Sequence, residues 1–189
     1  MKKRSNPLSR KMRPVSKKKG QLSKIFGQKI REYYYEHPAD AMTVRALALK
    51  LKLNRSTVQY HLQQLRKEGF IDKNNLWVDS WSNKLQKSHY FTLKIASSGL
   101  VQYLESELGV SAIILFGSFS KGDSVKESDI DLFVECARQK QLELQKFERL
   151  LGHKIELFTK ARIYQLPKPL LNNVVNGIKL KGYFTLNNE

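Results

Sequence analysis

The sequence predicts an α+β protein built from two parts of different composition. Three observations lead to this prediction: a strongly basic front half, amphipathic helices up to about residue 70, and a later alternation of apolar strands with helices. A chain of 189 residues can hold two small domains, and its 41% of hydrophobic residues suffices for globular cores. We expect an arm at 1–20 and domains at 21–95 and 98–189.

Positive charge is concentrated at the front of the chain. The formal net charge is +17, and residues 1–20 hold nine Lys or Arg with no acidic residue, whereas residues 98–189 are nearly balanced. Such a segment is typical of proteins that bind polyanions, with solubility as the alternative reason. The arm has two prolines and no apolar periodicity, so we expect it to be disordered.

Other classes of protein are excluded by composition. Cys136 is the only cysteine, which excludes an intrachain disulfide and a cysteine-based zinc site. The basic start is not followed by the apolar segment of a signal peptide, and no apolar run approaches the ~20 residues that span a bilayer. We therefore expect a cytoplasmic protein without a membrane partner.

Three helices and a hairpin are predicted in the front domain. The first helix covers 22–37, Thr43 caps a short second helix, and the third extends from Asn54 to a helix-ending Gly69. The segments FIDKNNLWVDSW and KSHYFTLKI then read as two strands around a polar loop at 82–87.

The third helix of this domain has two different faces. Its apolar face comprises Val58, Leu62 and Leu65. Its other face carries side chains able to contact base edges or phosphates, namely Arg55, Ser56, Gln59, Tyr60 and Gln63. Residues 24–95 closely resemble winged helix-turn-helix domains. The resemblance implies that this helix enters the major groove of DNA while Lys84 and Lys87 on the hairpin contact the flanking backbone. A winged helix that contacts only proteins is the alternative.

Strands and helices alternate after residue 98. A helix ends at Gly109, the apolar run 111–116 predicts a buried strand, and DIDLFVEC predicts a second strand. A helix over 137–151 and the strand HKIELFTK follow, and 172–184 reads as an edge strand or a short helix with a hairpin.

Carboxylates interrupt two of these apolar strands. Asp129 and Asp131 lie at period two, so both point to one face of a strand, about 7 Å apart. Glu156 has the same apolar-acid-apolar setting in the last of the strands. Carboxylates gathered in this way repel one another, and a divalent cation such as Mg²⁺ removes that cost. Ordinary solvated carboxylates are the alternative.

A Gly-Ser pair stands between the first strand and the helix start. There, backbone N–H groups can approach a phosphate, although Gly117 could also be a simple turn glycine. Gly117-Ser118, then Asp129-Ile130-Asp131-Leu132, then Ile155-Glu156-Leu157 are similar to the signature of the DNA polymerase β-type nucleotidyltransferase superfamily. Residues 98–182 look most like the minimal nucleotidyltransferases of prokaryotes, which implies a small mixed sheet of the polymerase β palm type.

The resemblance implies a role for each matching residue. The implied nucleotide-binding residues are Gly117, Ser118, Lys121 and Ser128. The implied ligands of two Mg²⁺ ions, and catalytic residues, are Asp129, Asp131 and Glu156. Glu156 would also act as general base on an acceptor hydroxyl, and Lys121 stands where the family commonly has Arg. The substrate would be an NTP, with ATP expected, although nothing in the loop reads a base. Phe119 departs from the basic or polar residue that is usual after the Gly-Ser pair.

Two functions are open at the level of sequence. In the first, the protein transfers NMP from an NTP to a hydroxyl of an RNA end, a small molecule or a tyrosine of a partner protein, as in toxin–antitoxin modules. In the second, it is a DNA-binding regulator whose nucleotidyltransferase-like domain senses nucleotide, or binds a partner protein in an antitoxin-like role, without turnover.

Overall fold

A helical front half and a four-stranded sheet make up residues 15–184, which the computed structural model describes, with side chains from residue 20 onward. The helices and strands are, in chain order, α1 (Val15–Glu36), α2 (Val44–Leu51), α3 (Arg55–Lys67), α4 (Trp81–Ser97), α5 (Leu100–Leu108), β1 (Ala112–Phe116), α6 (Gly117–Lys121), β2 (Ile130–Glu135), α7 (Gln145–Leu151), β3 (Ile155–Lys160), a 3-10 helix (Ile163–Gln165), α8 (Lys168–Val175) and β4 (Ile178–Gly182). The predicted α+β class is confirmed. None of the described helices is long and apolar enough to cross a membrane.

The first three helices follow the predicted order, with α2 and α3 packed together. The Thr43 side chain caps α2 by accepting a hydrogen bond from the Ala46 amide at 3.2 Å, and Gly69 follows α3 with a φ of 68°. Asn54 occupies the N-cap position of α3, but its side chain makes no capping bond. Helix α1 begins at Val15, so the end of the segment 1–20 is helical and not disordered as predicted; residues 1–14 lie outside the described range.

The predicted second strand of the hairpin is wrong, because this segment forms α4. The predicted first strand, 70–81, is wrong as well, because Ile71 and Trp77 within it form an isolated antiparallel bridge around a turn at 73–74. The Ser80 side chain caps α4 by accepting from the Asn83 amide at 3.2 Å. The buried residues of this helix recur mainly at intervals of four: Asn83, Lys87, Ser88, Phe91 and Ile95. Asn83, Lys87 and Ser88 are polar, although the apolar stem of Lys87 packs within this stripe. A hydropathy pattern alone therefore did not reveal a helix.

Helix α4 joins the two halves of the molecule. It packs against α1 on one side and against α5 and α6 on the other. A single cluster of buried apolar side chains extends from Ile30 of α1, through Phe91 of α4, to Ile155 of β3. Between the two expected domains, α4 continues to Ser97, and only residues 98–99 separate it from α5. The two halves therefore share one core.

The sheet has the strand order β3-β2-β1-β4. Strand β1 runs antiparallel to both β2 and β4, whereas β2 and β3 are parallel. Residues Ile113 and Leu115 face the shared core, and Ile114 and Phe116 face a second, smaller apolar cluster under α8. The sheet is therefore buried on both faces along β1, in agreement with its continuous apolar sequence.

The chain between β2 and β3 contains less helix than predicted. Helix α7 covers only Gln145–Leu151, whereas 137–151 was expected. Leu142 and Leu144 both pack against the core at a spacing of two, and the Glu143 amide donates to the Tyr103 hydroxyl at 3.0 Å. This spacing belongs to extended chain. The C-terminal segment forms α8 and β4.

Candidate functional site

The three carboxylates predicted from sequence meet at one end of the sheet. Asp131 is the register partner of Phe116 on β1 and of Glu156 on β3. Register partners on adjacent strands point to the same face of a sheet, so Asp131 and Glu156 lie side by side. Asp129 comes just before β2, two residues from Asp131. The site therefore lies where β1 ends and β2 and β3 begin.

Asp131 is the most perturbed group of this site. It is half-buried, while Asp129 and Glu156 are exposed. Burial raises the pKa of the Asp131 carboxyl above its ordinary value, and the charges of Glu156 and Asp129 raise it further. Both causes disfavour the ionised form. A bound cation would reduce this penalty, since its positive charge would offset the negative charge of the neighbouring carboxylates.

The donor set fits Mg²⁺ as part of a complex with nucleotide. Carboxylate oxygens are the hard ligands that Mg²⁺ prefers. Among the described residues, no three side chains of His, Cys, Asp or Glu are grouped tightly enough to hold an ion by themselves. Mg²⁺ in phosphoryl-transfer sites is usually held by one or two carboxylates, waters and substrate phosphates, not by a complete protein cage. An open group of carboxylates that substrate would complete is consistent with this chemistry.

Gly117 brings the backbone against the Asp131 carboxylate. Its φ is 68°, and a Cβ built at this position would overlap Oδ2 of Asp131. Both the conformation and the close approach require glycine here. Ser118 follows within the short α6, which Gly122 ends by donating its amide to the Ser118 carbonyl. The predicted phosphate-binding pair thus lies directly beside the predicted metal ligands.

The other two predicted nucleotide-binding residues lie within the segment 117–129, which joins β1 to β2 and is called the connecting loop. Lys121 is exposed at the end of α6. The Ser128 hydroxyl accepts from the Val125 amide at 2.9 Å, and the Ser128 carbonyl lies 2.9 Å from Nδ1 of His153. Ser128 therefore shapes the approach to Asp129, whereas a contact with nucleotide stays a prediction for both residues.

Phe119 explains one departure from the family pattern. Its side chain is fully buried, and its ring lies 4.8 Å from the Phe91 ring of α4 and 4.9 Å from the His153 ring, in edge-to-face contacts. A basic residue at this position would lose that packing. The family pattern is altered here because α6 is packed on the helical front half.

The predicted DNA-contacting face of α3 is exposed. Val58, Leu62 and Leu65 are buried in the core. All five residues predicted to reach DNA from this helix are exposed: Arg55, Ser56, Gln59, Tyr60 and Gln63. Their direct contact with DNA stays a prediction. Arg66, at the other end of α3, donates from Nε to the Asn75 side chain at 3.1 Å and so supports the turn that follows.

The two lysines predicted on the hairpin were misplaced. Both Lys84 and Lys87 lie on α4. The Lys84 ammonium forms ion pairs with Asp123 at 2.8 Å and Asp79 at 3.0 Å, and these raise its pKa. Lys87 is only 2% exposed and donates to the Ser124 carbonyl. Lys87 therefore offers no ammonium surface to DNA, and both lysines face the connecting loop of the carboxylate site.

Comparisons with known proteins agree with this organisation. Residues 99–180 match the family described as Polymerase beta, Nucleotidyltransferase, and residues 40–73 match the family described as Bacterial regulatory protein, arsR family. The chain belongs to the polymerase beta nucleotidyltransferase family, with an additional helix-turn-helix of the DNA-binding type in its front half.

One curated relative shows the same likeness. The chain is 38% identical over 68 residues to a protein of Methanocaldococcus jannaschii named as a putative protein adenylyltransferase, and the match covers 32% of this chain and 68% of the relative. No solved structure matches the chain significantly.

Proposed function

We propose that this protein is a Mg²⁺-dependent nucleotidyltransferase that transfers NMP from an NTP to an acceptor hydroxyl. The observation that carries the proposal is the contact of Gly117 with Asp131 at the sheet end where Glu156 and Asp129 also lie. This arrangement places backbone that a phosphate could approach next to carboxylates that could bind a cation. The membership of residues 99–180 in the nucleotidyltransferase family supports the same class of reaction.

The residues of the site would divide the reaction among them. The backbone at Gly117 and Ser118 would bind the phosphates, and Asp129, Asp131 and Glu156 would hold Mg²⁺. When bound, the metal would neutralise charge on the attacking and leaving oxygens of an in-line displacement. The acceptor oxygen would form a bond to the α-phosphorus while the bond to pyrophosphate breaks. Glu156, exposed at the start of β3, would take the proton of the acceptor hydroxyl.

ATP and a protein hydroxyl are the favoured substrates within this proposal. The relative's name describes a protein adenylyltransferase, and its match to this chain supports the transfer of that assignment. An RNA end or a small molecule is the alternative acceptor. The exposed face of α3 would bring the enzyme to DNA, so that the acceptor protein would be modified near a particular DNA site.

The test is transfer of label from each α-labelled NTP with Mg²⁺ to purified protein, RNA or cell extract. Asp129→Asn/Asp131→Asn is the inactive variant. Glu127→Gln is the matched control, since Glu127 is exposed in the same connecting loop. We expect label with the wild type and the control but not with the double variant. Absence of label from every NTP in the wild type would overturn the proposed transfer reaction.

A regulator that senses nucleotide is the second candidate. It is favoured by α4, which packs against both α1 and α6 and so connects the helix-turn-helix with the carboxylate site. Here Mg²⁺ with an NTP would change DNA affinity without forming a labelled product. Unchanged DNA affinity at saturating nucleotide would exclude this candidate.

A further inference from the structure

Helix α4 holds the connecting loop, which joins the predicted phosphate-binding pair to the predicted metal ligand Asp129. This loop, residues 117–129, begins with the phosphate-binding pair and ends with Asp129. The Ser88 hydroxyl donates to the Ser120 carbonyl at 2.8 Å, and the Lys84 ammonium pairs with Asp123 at 2.8 Å. At Gly122 the two backbones come so close that an added Cβ would overlap the Lys84 carbonyl. The loop is therefore attached to α4 at several successive residues.

Lys87 is the innermost of these attachments. Its side chain is 2% exposed, its ammonium donates to the Ser124 carbonyl, and it lies 5.7 Å from the centre of the Trp77 ring. In the described part of the chain, no carboxylate oxygen lies within 4 Å of the Lys87 ammonium. The nearby carboxylates of Asp79 and Asp123 pair with Lys84 instead. A buried ammonium without a carboxylate in contact is costly, so an apolar residue would fill this place more cheaply.

Among the described residues, the side chain of Ser124 adds no polar attachment of its own. Ser124 is buried, and its hydroxyl finds no hydrogen-bond partner among the described residues. The bond from Lys87 to the Ser124 carbonyl is therefore the polar contact that attaches this residue to α4. The neighbouring amides also define the loop, since the Asp123 amide donates to the Ser118 carbonyl at 2.9 Å and the Val125 amide to the Ser128 hydroxyl at 2.9 Å.

We propose that Lys87 is a positioning residue for nucleotide binding. Its ammonium fixes the Ser124 carbonyl and thereby holds the loop so that Gly117-Ser118 at one end and Asp129 at the other face the same nucleotide. The proposal rests on the proposed function, because it concerns the same site. It assigns to a residue of the front half a role in the chemistry of the other half.

The charged groups that face Lys87 come from three segments. Asp79 lies just before α4, Lys84 is one turn earlier on α4, and Asp123 belongs to the connecting loop. Burial lowers the pKa of Lys87 to about 8, the two carboxylates oppose this shift, and Lys84 adds to it. The neutral amine that forms above this pH still donates a hydrogen bond, but it is a weaker donor than the ammonium.

The experiment compares Lys87→Met with two matched controls. Lys94→Met makes the same change on the same helix, where the Lys94 ammonium bonds Glu36 and the Leu151 carbonyl, away from the loop. Ser124→Ala removes the hydroxyl, to which no residue in the described part of the chain bonds, and keeps the carbonyl. Hydrogen exchange of the Asp123, Val125 and Ser128 amides reports the loop. Calorimetry with the Mg²⁺ complexes of ATP, GTP, CTP and UTP, each in turn, reports nucleotide binding.

We expect Lys87→Met to accelerate exchange of the loop amides and to weaken nucleotide binding by about tenfold each, as for the loss of one charged hydrogen bond. Both controls should stay within about twofold of the wild type. Unchanged loop exchange in Lys87→Met would overturn the proposal, and so would loosened exchange with unchanged nucleotide affinity or an equal loss in Lys94→Met. A wild type that binds none of the four complexes would overturn the proposed function itself, and this inference with it.

Discussion

Gly117 lies against the carboxylate of Asp131, with a φ of 68° and no room for a Cβ. The first residue of α6, directly after β1, is therefore in contact with the central carboxylate of β2, next to the antiparallel pair in which Phe116 opposes Asp131. This contact places a potential phosphate site and a potential metal ligand within one small volume.

Replacement of Gly117 by alanine should push the Asp131 carboxylate away from the backbone that is predicted to bind phosphate. We expect Gly117→Ala to displace the Asp131 carboxylate and to reduce nucleotide transfer by about a hundredfold or more, as displacements of catalytic groups by about 1 Å do. Gly109→Ala is the matched control, since Gly109 also has a positive φ of 61° but no atom of the described residues within 4 Å of an added Cβ. Transfer rates and thermal unfolding of both variants check this. Equal losses in both would show that backbone strain, and not the contact with Asp131, is responsible.

Burial of the Asp131 carboxylate, together with repulsion from its neighbouring carboxylates, should cost stability in the absence of metal. Burial and the charges of Glu156 and Asp129 raise the pKa of Asp131, so its ionised form destabilises the folded state at neutral pH. We expect Asp131→Asn to increase the free energy of unfolding by up to about 1 kcal/mol without Mg²⁺. Addition of Mg²⁺ with nucleotide should stabilise the wild type and not the variant. Denaturant unfolding with and without Mg²⁺ and nucleotide measures both effects, and a loss of stability in metal-free Asp131→Asn would contradict the prediction.

The exposed face of α3 should carry sequence-specific DNA binding. We expect Arg55→Ala to weaken binding to a DNA site selected from random duplexes by about 1–3 kcal/mol. Lys67→Ala is the control of equal charge, because Lys67 is exposed at the other end of the same helix and outside the predicted set. Fluorescence anisotropy at fixed salt gives the affinities. Equal effects of the two substitutions would indicate that only net charge matters.

The buried Lys87 should make stability depend on pH. Its pKa falls from 10.5 in the unfolded chain to about 8 in the folded protein. The unfolded state therefore binds more protons between these values, and the wild type gains stability as the pH rises from about 8 to 10. We expect a gain of roughly 1–2 kcal/mol relative to Lys87→Met over this range. Denaturant unfolding of both proteins at several pH values gives the difference between their free energies of unfolding. The contributions of the tyrosines cancel in this difference because both proteins contain them. Parallel curves would show that Lys87 titrates normally.

The features that could be predicted from the sequence are those with a local signal. The alternation of apolar and acidic residues around Asp129, Asp131 and Glu156 can be recognised within a few consecutive residues, because a strand has a period of two. The amphipathic pattern of α3 is equally local. The α+β class and both family resemblances followed from such patterns, and the family matches agree with them.

What only the tertiary structure decided are the contacts between distant segments. The segment predicted as the loop and second strand of the hairpin is the helix α4, whose buried face includes Asn83 and Lys87. No hydropathy pattern assigns these polar residues to a core. Asn83 is buried because its amide donates to the carbonyls of Gly69 and Val78, and Lys87 because it bonds Ser124. The amino-acid sequence by itself determined which residues could form the site. Packing determined that α4 holds the loop of that site, because the partners of a buried polar group are chosen by the folded arrangement around it and not by its neighbours in the chain.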